Sequence, residues 1–357
     1  MAESDRPLRA SIIIVNYNGG AKIIKCLEAL LKDAGHDAGS IAEVIVVDNA
    51  SSDGSAEQIE VRFPGLKLIR AGKNIGFGAG NNLGAKHARG NSLVFVNPDT
   101  TVHEHWLSAL LDPVDEPGAR VLATSKIVMG NDPSRINACG NRVHLTGLTL
   151  CRGLNSPAEG FNTIEEVDAV SGAAFAISSD LFQKLGGFDE EMFLYVEDTD
   201  LSLRAWLLGA KCLFIPDSVV EHDYALKITP LKIFYQEKNR YLMLLKVFRW
   251  PTLVVLSPAL LGAELISWGF VLMADRNNIG NKIRAYGWVC SNRRSILKQR
   301  RNVQSLRQVR DRRILQKMAV VLDFGQAARG PVGAFAHLVF DPFFFVMKLI
   351  VLAIVWW

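Results

Sequence analysis

Glu197-Asp198-Thr199-Asp200 sets three carboxylates within four residues, directly behind the apolar-aromatic run Met192-Phe193-Leu194-Tyr195-Val196. The pattern reads as the first turn of a helix that closes near Gly209. Acids in that position face unpaired backbone amides and the positive end of the helix dipole, which favours their charged form. Glu197, Asp198 and Asp200 are therefore expected to stay ionised near neutral pH, the state a general base requires. Helix capping accounts for one such acid but not for the whole cluster. A second candidate is Asn97-Pro98-Asp99, which follows the apolar run 93–96. It is good turn chemistry, and it is also a place where one carboxylate could hold a hard divalent cation together with oxygens of a bound ligand. A third is Val47-Asp48-Asn49-Ala50-Ser51-Ser52-Asp53-Gly54, where Asp48 can accept hydrogen bonds from a ligand while Asp53 or a serine caps the next helix. The segment from Lys73 to Asn82 is rich in glycine, which permits close backbone approach to a ligand. Its spacing, Gly76-x-Gly78-x-x-Asn81, lacks the third glycine of a dinucleotide fingerprint and does not follow the first strand.

These residues need a scaffold that brings them to one place. From about residue 11 to 225 the chain alternates short β-rich runs (11–15, 43–47, 66–69, 93–96, and later 212–215) with stretches of spaced apolar residues. Such alternation implies an α/β fold with a mostly parallel sheet flanked by helices. Ligands of open α/β sheets bind beyond the carboxyl ends of the strands, where Asn16-Tyr17-Asn18, Asp48 onward and Asn97-Pro98-Asp99 all fall. No internal repeat is visible.

After about Tyr224 the composition changes. A helical stretch at 231–250 carries Tyr235, Lys238, Arg240 and Tyr241. Residues 251–274 are apolar apart from Glu264, and 338–357 are apolar apart from Asp341 and Lys348. Each is close to the roughly 20 residues that cross a bilayer, but Pro258, Gly262 and Glu264 interrupt the first. Between them, residues 291–317 hold ten Lys and Arg against Asp311 alone, a run that suits a solvated helix face or an anionic membrane surface. A single crossing at 251–274 would put that basic run on the outer side, against the positive-inside tendency. The first segment is thus expected to be a re-entrant hairpin or an interfacial helix, with 338–357 lying in or entering the membrane. The formal charge of +4 is small, and no nucleic-acid partner is expected. The five cysteines are odd in number and widely spaced, as reduced thiols are, and the charged N-terminus leads straight into an apolar strand, so the catalytic part is expected on the cytoplasmic face of the inner (plasma) membrane.

Taken in order, Val47–Gly54, Asn74-Ile75-Gly76-Phe77-Gly78-x-Gly80-Asn81-Asn82, Asn97-Pro98-Asp99, Ser171-Gly172-Ala173-Ala174 and Gly187-Phe188-Asp189-Glu190 through Glu197-Asp198-x-Asp200 resemble the family 2 inverting glycosyltransferases of GT-A fold, most of all a rhamnosyltransferase-like group. The resemblance covers about residues 11–240. It implies a nucleotide-diphospho-sugar transferase with a catalytic domain at 1–225 and an acceptor-side linker helix at 226–250, and composition adds a membrane-associated helical region at 251–357. It implies Asp198 as catalytic base beside Glu197, and Asn16, Asp48, Asn74, Asn81, Asn97 and Gly172 at the nucleotide sugar, with Asp48 at the nucleobase. Asp99 and His222 would hold Mg2+ or Mn2+, with Asn97 in place of the usual first acid of the metal motif. Tyr235, Lys238 and Arg240 match a basic motif near the diphosphate or acceptor. The donor expected first is dTDP-rhamnose, with UDP- and GDP-sugars open, and the acceptor is a hydroxyl of a polyprenyl-diphosphate-linked or other lipid saccharide. The alternatives are a sugar nucleotidyltransferase, which would carry a basic Gly-rich loop after the first strand where this chain has Asn16-Tyr17-Asn18-Gly19-Gly20, and a non-catalytic membrane adaptor with a degenerate transferase domain.

Overall fold

The computed structural model describes residues 8–36, 42–223, 230–274, 276–322 and 331–357. The charged lead-in at 1–7 and the domain boundary at 225/226 lie outside the described residues. The chain forms two compact units, one of Met1–Gly140, Cys151–Ser202 and Ala210–Ala225, the other of Asn141–Leu150, Leu203–Gly209 and Leu226–Trp357. A boundary read along the sequence does not capture the two short segments, 141–150 and 203–209, that group with the C-terminal residues.

The first half of the chain runs β1 (Ala10–Asn16), α1 (Gly20–His36), β2 (Ala42–Asp48), α2 (Ser55–Arg62), β3 (Lys67–Arg70), α3 (Phe77–Ala85), β4 (Ser92–Val96), β5 (Thr100–Val102), α4 (Trp106–Asp115), β6 (Val121–Met129) and β7 (Asp132–Ala138). It continues with β8 (Asn141–Val143), β9 (Thr149–Cys151), β10 (Glu165–Val167), β11 (Ala174–Ser178), α5 (Ser179–Leu185), α6 (Glu197–Leu207) and β12 (Lys211–His222). The main sheet has the order β10-β12-β6-β11-β4-β1-β2-β3, with β5 beside β12 and β7 beside β6. Strands β3, β2, β1 and β4 are parallel, and β11 enters antiparallel between β4 and β6.

Strand β1 is a β-branched run buried along its whole length, which suits a central strand covered on both faces. Ile12 and Ile14 join Val44, Val46, Val94 and Val96 in a core with Leu27 of α1 and Trp106 and Leu110 of α4. On the other face α3 comes unusually close. A Cβ at Gly80 would lie 2.9 Å from both methyls of Val15, and one at Gly84 would lie 2.5 Å from Ile13 Cγ2. Gly78 meets Phe188 in the same way, at 3.1 Å. Gly80 and Gly84 admit the sheet and Gly78 admits Phe188, so three of the four glycines between Gly76 and Gly84 serve helix packing. Phe188 completes this layer, with its ring centroid 5.1 Å from that of Phe95 and 5.5 Å from that of Phe182. Asn82 holds the backbone there, accepting from Phe188 N at 2.8 Å and donating to Phe188 O at 2.9 Å.

The second unit carries α7 (Pro230–Val247), α8 (Trp250–Ala274), α9 (Ile279–Ser291), α10 (Arg293–Ser305), α11 (Asp311–Lys317) and α12 (Pro331–Ile354). Two of these, over Trp250–Gly269 and His337–Ile354, are long and apolar enough to cross a membrane by length and composition. The expectation of a re-entrant hairpin at 251–274 fails, because α8 is one uninterrupted helix. Pro258 cannot donate to the Val254 carbonyl one turn back, and the Ser257 hydroxyl takes that place at 2.7 Å. The basic run is also not a uniformly solvated face. Arg300 donates to the carbonyls of Leu245 and Phe248, Gln304 to those of Lys246 and Val247, and Arg307 to Val247 and to Asp311. These side chains satisfy the last carbonyls of α7, which no helical amide can reach. Arg293, Arg294, Lys298, Arg301, Arg310, Arg313 and Lys317 remain exposed.

Helix propensity alone predicts that Gly84→Ala would stabilise α3 by about 1 kcal/mol. The contact with Ile13, a branched side chain fully buried beneath it, predicts the opposite, a net loss of roughly 1–3 kcal/mol from overpacking. A lower midpoint in urea unfolding is the expected result; a raised one would mean that the sheet yields and that this close approach is not a constraint.

Candidate active site

Sheet register brings the polar residues together. Asn16 pairs with Asp48 across β1 and β2, and Ile14 pairs with Val96 across β1 and β4, so Asn97-Pro98-Asp99 leaves the sheet at the same edge. Asp48 is 2% exposed and takes the Asn16 amide at 3.3 Å and the Ser51 amide on both oxygens, at 3.3 and 3.4 Å. The next helix is capped by Gly54 rather than by Asp53, whose carboxylate accepts from Ser55 N at 3.1 Å and from Gly20 N at 2.8 Å and so has a structural task. These hydrogen bonds, first that from the Ser55 hydroxyl, hold its pKa below the usual value.

Asn49, which the sequence did not single out, grips the neighbouring loop. Its side chain donates to Asn74 Oδ1 at 3.2 Å and to the Gly76 carbonyl at 3.1 Å, and accepts from Ile75 N at 3.1 Å. The loop then passes the hold on. Phe77 N donates to the Phe193 carbonyl at 2.7 Å, and Gly76, with φ of 86°, lies so close to Phe193 that a Cβ would be 2.5 Å from its carbonyl oxygen. Asn81, 1% exposed, donates to the Phe77 carbonyl of its own helix at 3.1 Å.

Phe193 begins a strained approach to the acids. Phe193, Tyr195 and Val196 have positive φ of 64°, 67° and 71°, which costs an L-residue roughly 1–3 kcal/mol and is rare above all for a β-branched one. No glycine or asparagine in the run announces it. Helix α6 starts immediately afterwards at Glu197, and Gly209, with φ of 75°, follows its end.

The two adjacent acids are held differently. Asp198 is half-buried, and its carboxylate accepts from Gly172 N at 2.8 Å, Thr199 N at 2.6 Å and Thr199 Oγ1 at 3.2 Å. Next to Gly172, the Ala173 carbonyl accepts from Asn97 N at 2.9 Å, which ties the acid to the end of β4. Glu197 is buried at 7% exposure, and among the described residues its Oε2 meets no hydrogen-bond partner. Burial, reinforced by the charges of Asp198 and Asp200, pushes its pKa up to about 8. The expectation that Glu197 stays ionised near neutral pH is thus wrong, because desolvation outweighs the helix dipole.

Asp99 and His222 meet across β5 and β12, with Asp99 Oδ1 3.1 Å from His222 Nε2 and Asn97 Nδ2 3.5 Å from the same nitrogen. The other ring nitrogen, Nδ1, lies 3.2 Å from Asn137 Oδ1. With Nδ1 donating to that oxygen, Nε2 turns its lone pair on the Asp99 carboxylate. That pairing presents an imidazole nitrogen and a carboxylate oxygen side by side, as two ligands of one cation would be. The donor set suits a divalent metal: a carboxylate oxygen, an imidazole nitrogen and an outer-shell amide that fixes the ring. Among the described residues no third His, Cys, Asp or Glu side chain converges there, so ligand oxygens and water would complete the shell. Lys22 adds a cation nearby, paired with Asp223 at 3.0 Å.

Tyr235, Lys238 and Arg240 belong to the second unit. Lys238, 2% exposed, has Nζ 4.4 Å from the Trp288 ring centroid and 5.0 Å from that of Tyr235. Arg240, also 2% exposed, donates to Glu237 at 2.7 Å, to the Thr146 carbonyl at 3.2 Å and to Glu264.

A family model for "Glycosyl transferase family 2" matches residues 11–181. Polypeptide N-acetylgalactosaminyltransferase 11 of Xenopus tropicalis is 27% identical over 235 residues, 62% of this chain and 39% of that protein. N-acetylglucosaminyl-diphospho-decaprenol L-rhamnosyltransferase of Mycobacterium tuberculosis is 25% identical over 237 residues, 60% of this chain and 76% of that protein. The chain thus spans about two fifths of the length of the first of these relatives. Among solved structures, S. aureus TarS 1-349 in complex with UDP-GlcNAc superposes with a TM-score of 0.54 at 18% identity, covering 96% of this chain and 91% of TarS 1-349, and supports the GT-A fold.

Glu197 makes the fold sensitive to pH in a defined sense. Its pKa rises from 4.5 to about 8 on folding, so its contribution is fully present below the unfolded value and is lost as the pH climbs through about 8. Glu197→Gln cannot ionise, so its stability relative to the parent should improve between about pH 5 and pH 9, on the order of a few kcal/mol. Denaturant unfolding at both pH values reads this out, and a difference that does not change with pH would return Glu197 to the ionised state.

Proposed function

Residues 11–181 being a glycosyl transferase family 2 domain, we propose that the chain is an inverting, metal-dependent glycosyltransferase with Asp198 as its base. The observation that carries this reading is the contrast between neighbours. Asp198 is half-buried with its charge held by Gly172 and Thr199, while Glu197 beside it is buried with its pKa raised to about 8. Environments that push two adjacent acids apart assign them separate roles. Asp198 accepts the proton of the acceptor hydroxyl as that oxygen bonds to the anomeric carbon. The bond from that carbon to the diphosphate oxygen breaks at the same time, the electron pair leaves with the nucleoside diphosphate, and the anomeric configuration inverts. No second carboxylate nucleophile is needed.

Asp48 and Asn16, at the ends of β2 and β1, would receive the nucleobase, and the loop held by Asn49 would line the sugar-nucleotide pocket. Asp99 and His222 would hold Mg2+ or Mn2+. When bound, the ion supplies positive charge to the diphosphate as it departs. TarS has been solved with UDP-GlcNAc, a precedent in this fold for a nucleotide-sugar donor. The mycobacterial relative, an N-acetylglucosaminyl-diphospho-decaprenol L-rhamnosyltransferase, makes dTDP-rhamnose the first donor and a lipid-linked saccharide the first acceptor to test. The two apolar helices and the exposed cations between them favour a membrane-associated enzyme, and five free cysteines suit the reducing, cytoplasmic side.

The test is nucleoside diphosphate release from dTDP-rhamnose, UDP-GlcNAc, UDP-GalNAc and GDP-mannose, with Mg2+ or Mn2+ and a membrane lipid extract. One donor should show lipid-dependent release that chelator abolishes. Asp198→Asn should cut the rate roughly 10²–10⁴-fold while nucleotide binding persists. A variant within a few-fold of the parent would remove Asp198 from the role of base, and nucleotide binding without turnover of any donor would favour a non-catalytic adaptor.

A further inference from the structure

Helices α8 and α12 of the second unit run antiparallel. At one end the Trp357 indole donates to Thr252 Oγ1 at 2.8 Å, and further along Gly262 lies beneath the Phe343 ring, where a Cβ would come within 2.5 Å. One stripe of each helix is buried, with Leu256, Ala259 and Ala263 on α8 and Phe344, Met347 and Val351 on α12. The opposite stripe is equally apolar but faces outward. Val254, Leu261 and Leu265 are 71%, 65% and 72% exposed, and Leu338, Phe345 and Leu349 are 74%, 54% and 55% exposed. An exposed apolar surface of this continuity is an interaction site rather than scattered surface residues.

Both helices are pinned to the unit at several points along their length. Glu264, the one acid of α8, accepts hydrogen bonds from Arg240, Tyr241 and Tyr286, and Lys282 Nζ lies 3.1 Å away. On α12, Lys348 donates to the carbonyls of Gln316 and Met318, at 2.9 and 2.5 Å. Arg312 donates to the carbonyls of Leu352 and Val355 near its end. A helix that left the unit to cross a bilayer would carry Glu264 or Lys348 into hydrocarbon without these partners, which is costly. Exposed tryptophans and arginines border the paired helices near residues 250 and 357. Trp250 and Trp356 are 50% and 68% exposed, Arg300 stacks 4.2 Å over the Trp250 ring beside exposed Arg301, and exposed Arg310 and Arg313 flank Arg312.

We propose that α8 and α12 form a monotopic membrane plate. They lie side by side in the plane of one leaflet, with the outward stripe in the upper acyl region and Arg301, Arg310 and Arg313 against anionic headgroups. This rests on the membrane-associated reading above and specifies its geometry: neither helix spans. The partner is the bilayer rather than a second copy of the chain, because the exposed cations beside the apolar stripe match an anionic surface and would repel their own copies.

The full chain with Cys290→Ser, carrying in turn Val254→Cys, Leu261→Cys, Leu265→Cys or Phe345→Cys, would be labelled with an environment-sensitive fluorophore. It would then be mixed with vesicles of phosphatidylcholine, alone or with one third phosphatidylglycerol, containing a quencher near the headgroup or near the bilayer centre. All four positions should be quenched alike and more strongly by the shallow quencher. Deep quenching at Leu261 and Leu265 with shallow quenching at Val254 would mean a spanning helix and overturn the plate. Labels shielded without lipid, together with a doubled particle mass, would overturn it in favour of a dimer. No vesicle binding at all would instead sink the membrane reading on which it rests, and leaves the glycosyltransferase assignment to its own assay. Replacing Arg301, Arg310 and Arg313 together by Gln should weaken binding to the anionic vesicles by about fivefold per charge and spare binding to phosphatidylcholine; equal losses on both would remove the basic edge from the proposal.

Discussion

The register of three parallel strands is the constraint from which the first unit follows. Asn16 stands opposite Asp48, and Ile14 opposite Val96, so β1, β2 and β4 end at nearly one level. A slip of one residue would turn every side chain to the other face and separate these ends. The register is fixed by burial on both sides. Ile12 and Ile14 are committed to the layer of α1 and α4, while Ile13 and Val15 are committed to a helix that only glycine at 80 and 84 allows so near. The polar residues beyond the strand ends therefore inherit their positions from apolar contacts that contain no chemistry of their own.

Past the strand ends, position is transmitted through the backbone. Asn49 holds the Asn74–Gly76 loop, that loop holds Phe193, and three residues of positive φ carry the chain to Glu197. Such strain persists only where surrounding contacts over-determine it. Here they do: Gly76 and Phe77 on one side, and the Asp198 carboxylate bonded to Gly172 on the other. The result is one half-buried acid bonded to Gly172 and Thr199 and one buried acid whose desolvation outweighs its single amide contact, at consecutive positions, a difference that a helix dipole acting on both alike could not produce.

What the sequence disclosed, and what it withheld, divides along the same line. Strands β1, β2 and β4 and the start of α6 were legible, because continuous β-branched runs and an acidic first turn are local signals. The edge of the sheet that gathers Asn16, Asp48 and Asn97 followed from the topology of α/β folds. The state of Glu197 was not legible, since an acidic first turn reads the same whether it is buried or exposed. Nor was the task of Gly80 and Gly84, where absence of a side chain serves equally for a ligand or for a strand. The arginines misled for a related reason: composition counts charges, but the open carbonyls at the end of α7 that engage Arg300 and Arg307 appear only when helices meet. Asn137 and the positive-φ residues Phe193, Tyr195 and Val196 carry no local signature at all.

Glu264 shows how one buried group can determine the behaviour of a whole helix. By composition α8 is a membrane segment with a flaw, a carboxylate near its middle. In the fold the flaw is the attachment point. Glu237 and Glu264 balance Arg240 and Lys282, with Tyr241 and Tyr286 donating to Glu264. A balanced buried cluster of this type adds little net stability compared with a well-packed apolar one, but removing a single partner leaves an uncompensated charge. Its effect is therefore on specificity rather than strength: it forbids the rotations of α8 that would bury the outward leucines. An apolar stripe held outward by charges beneath it must find its apolar partner outside the unit.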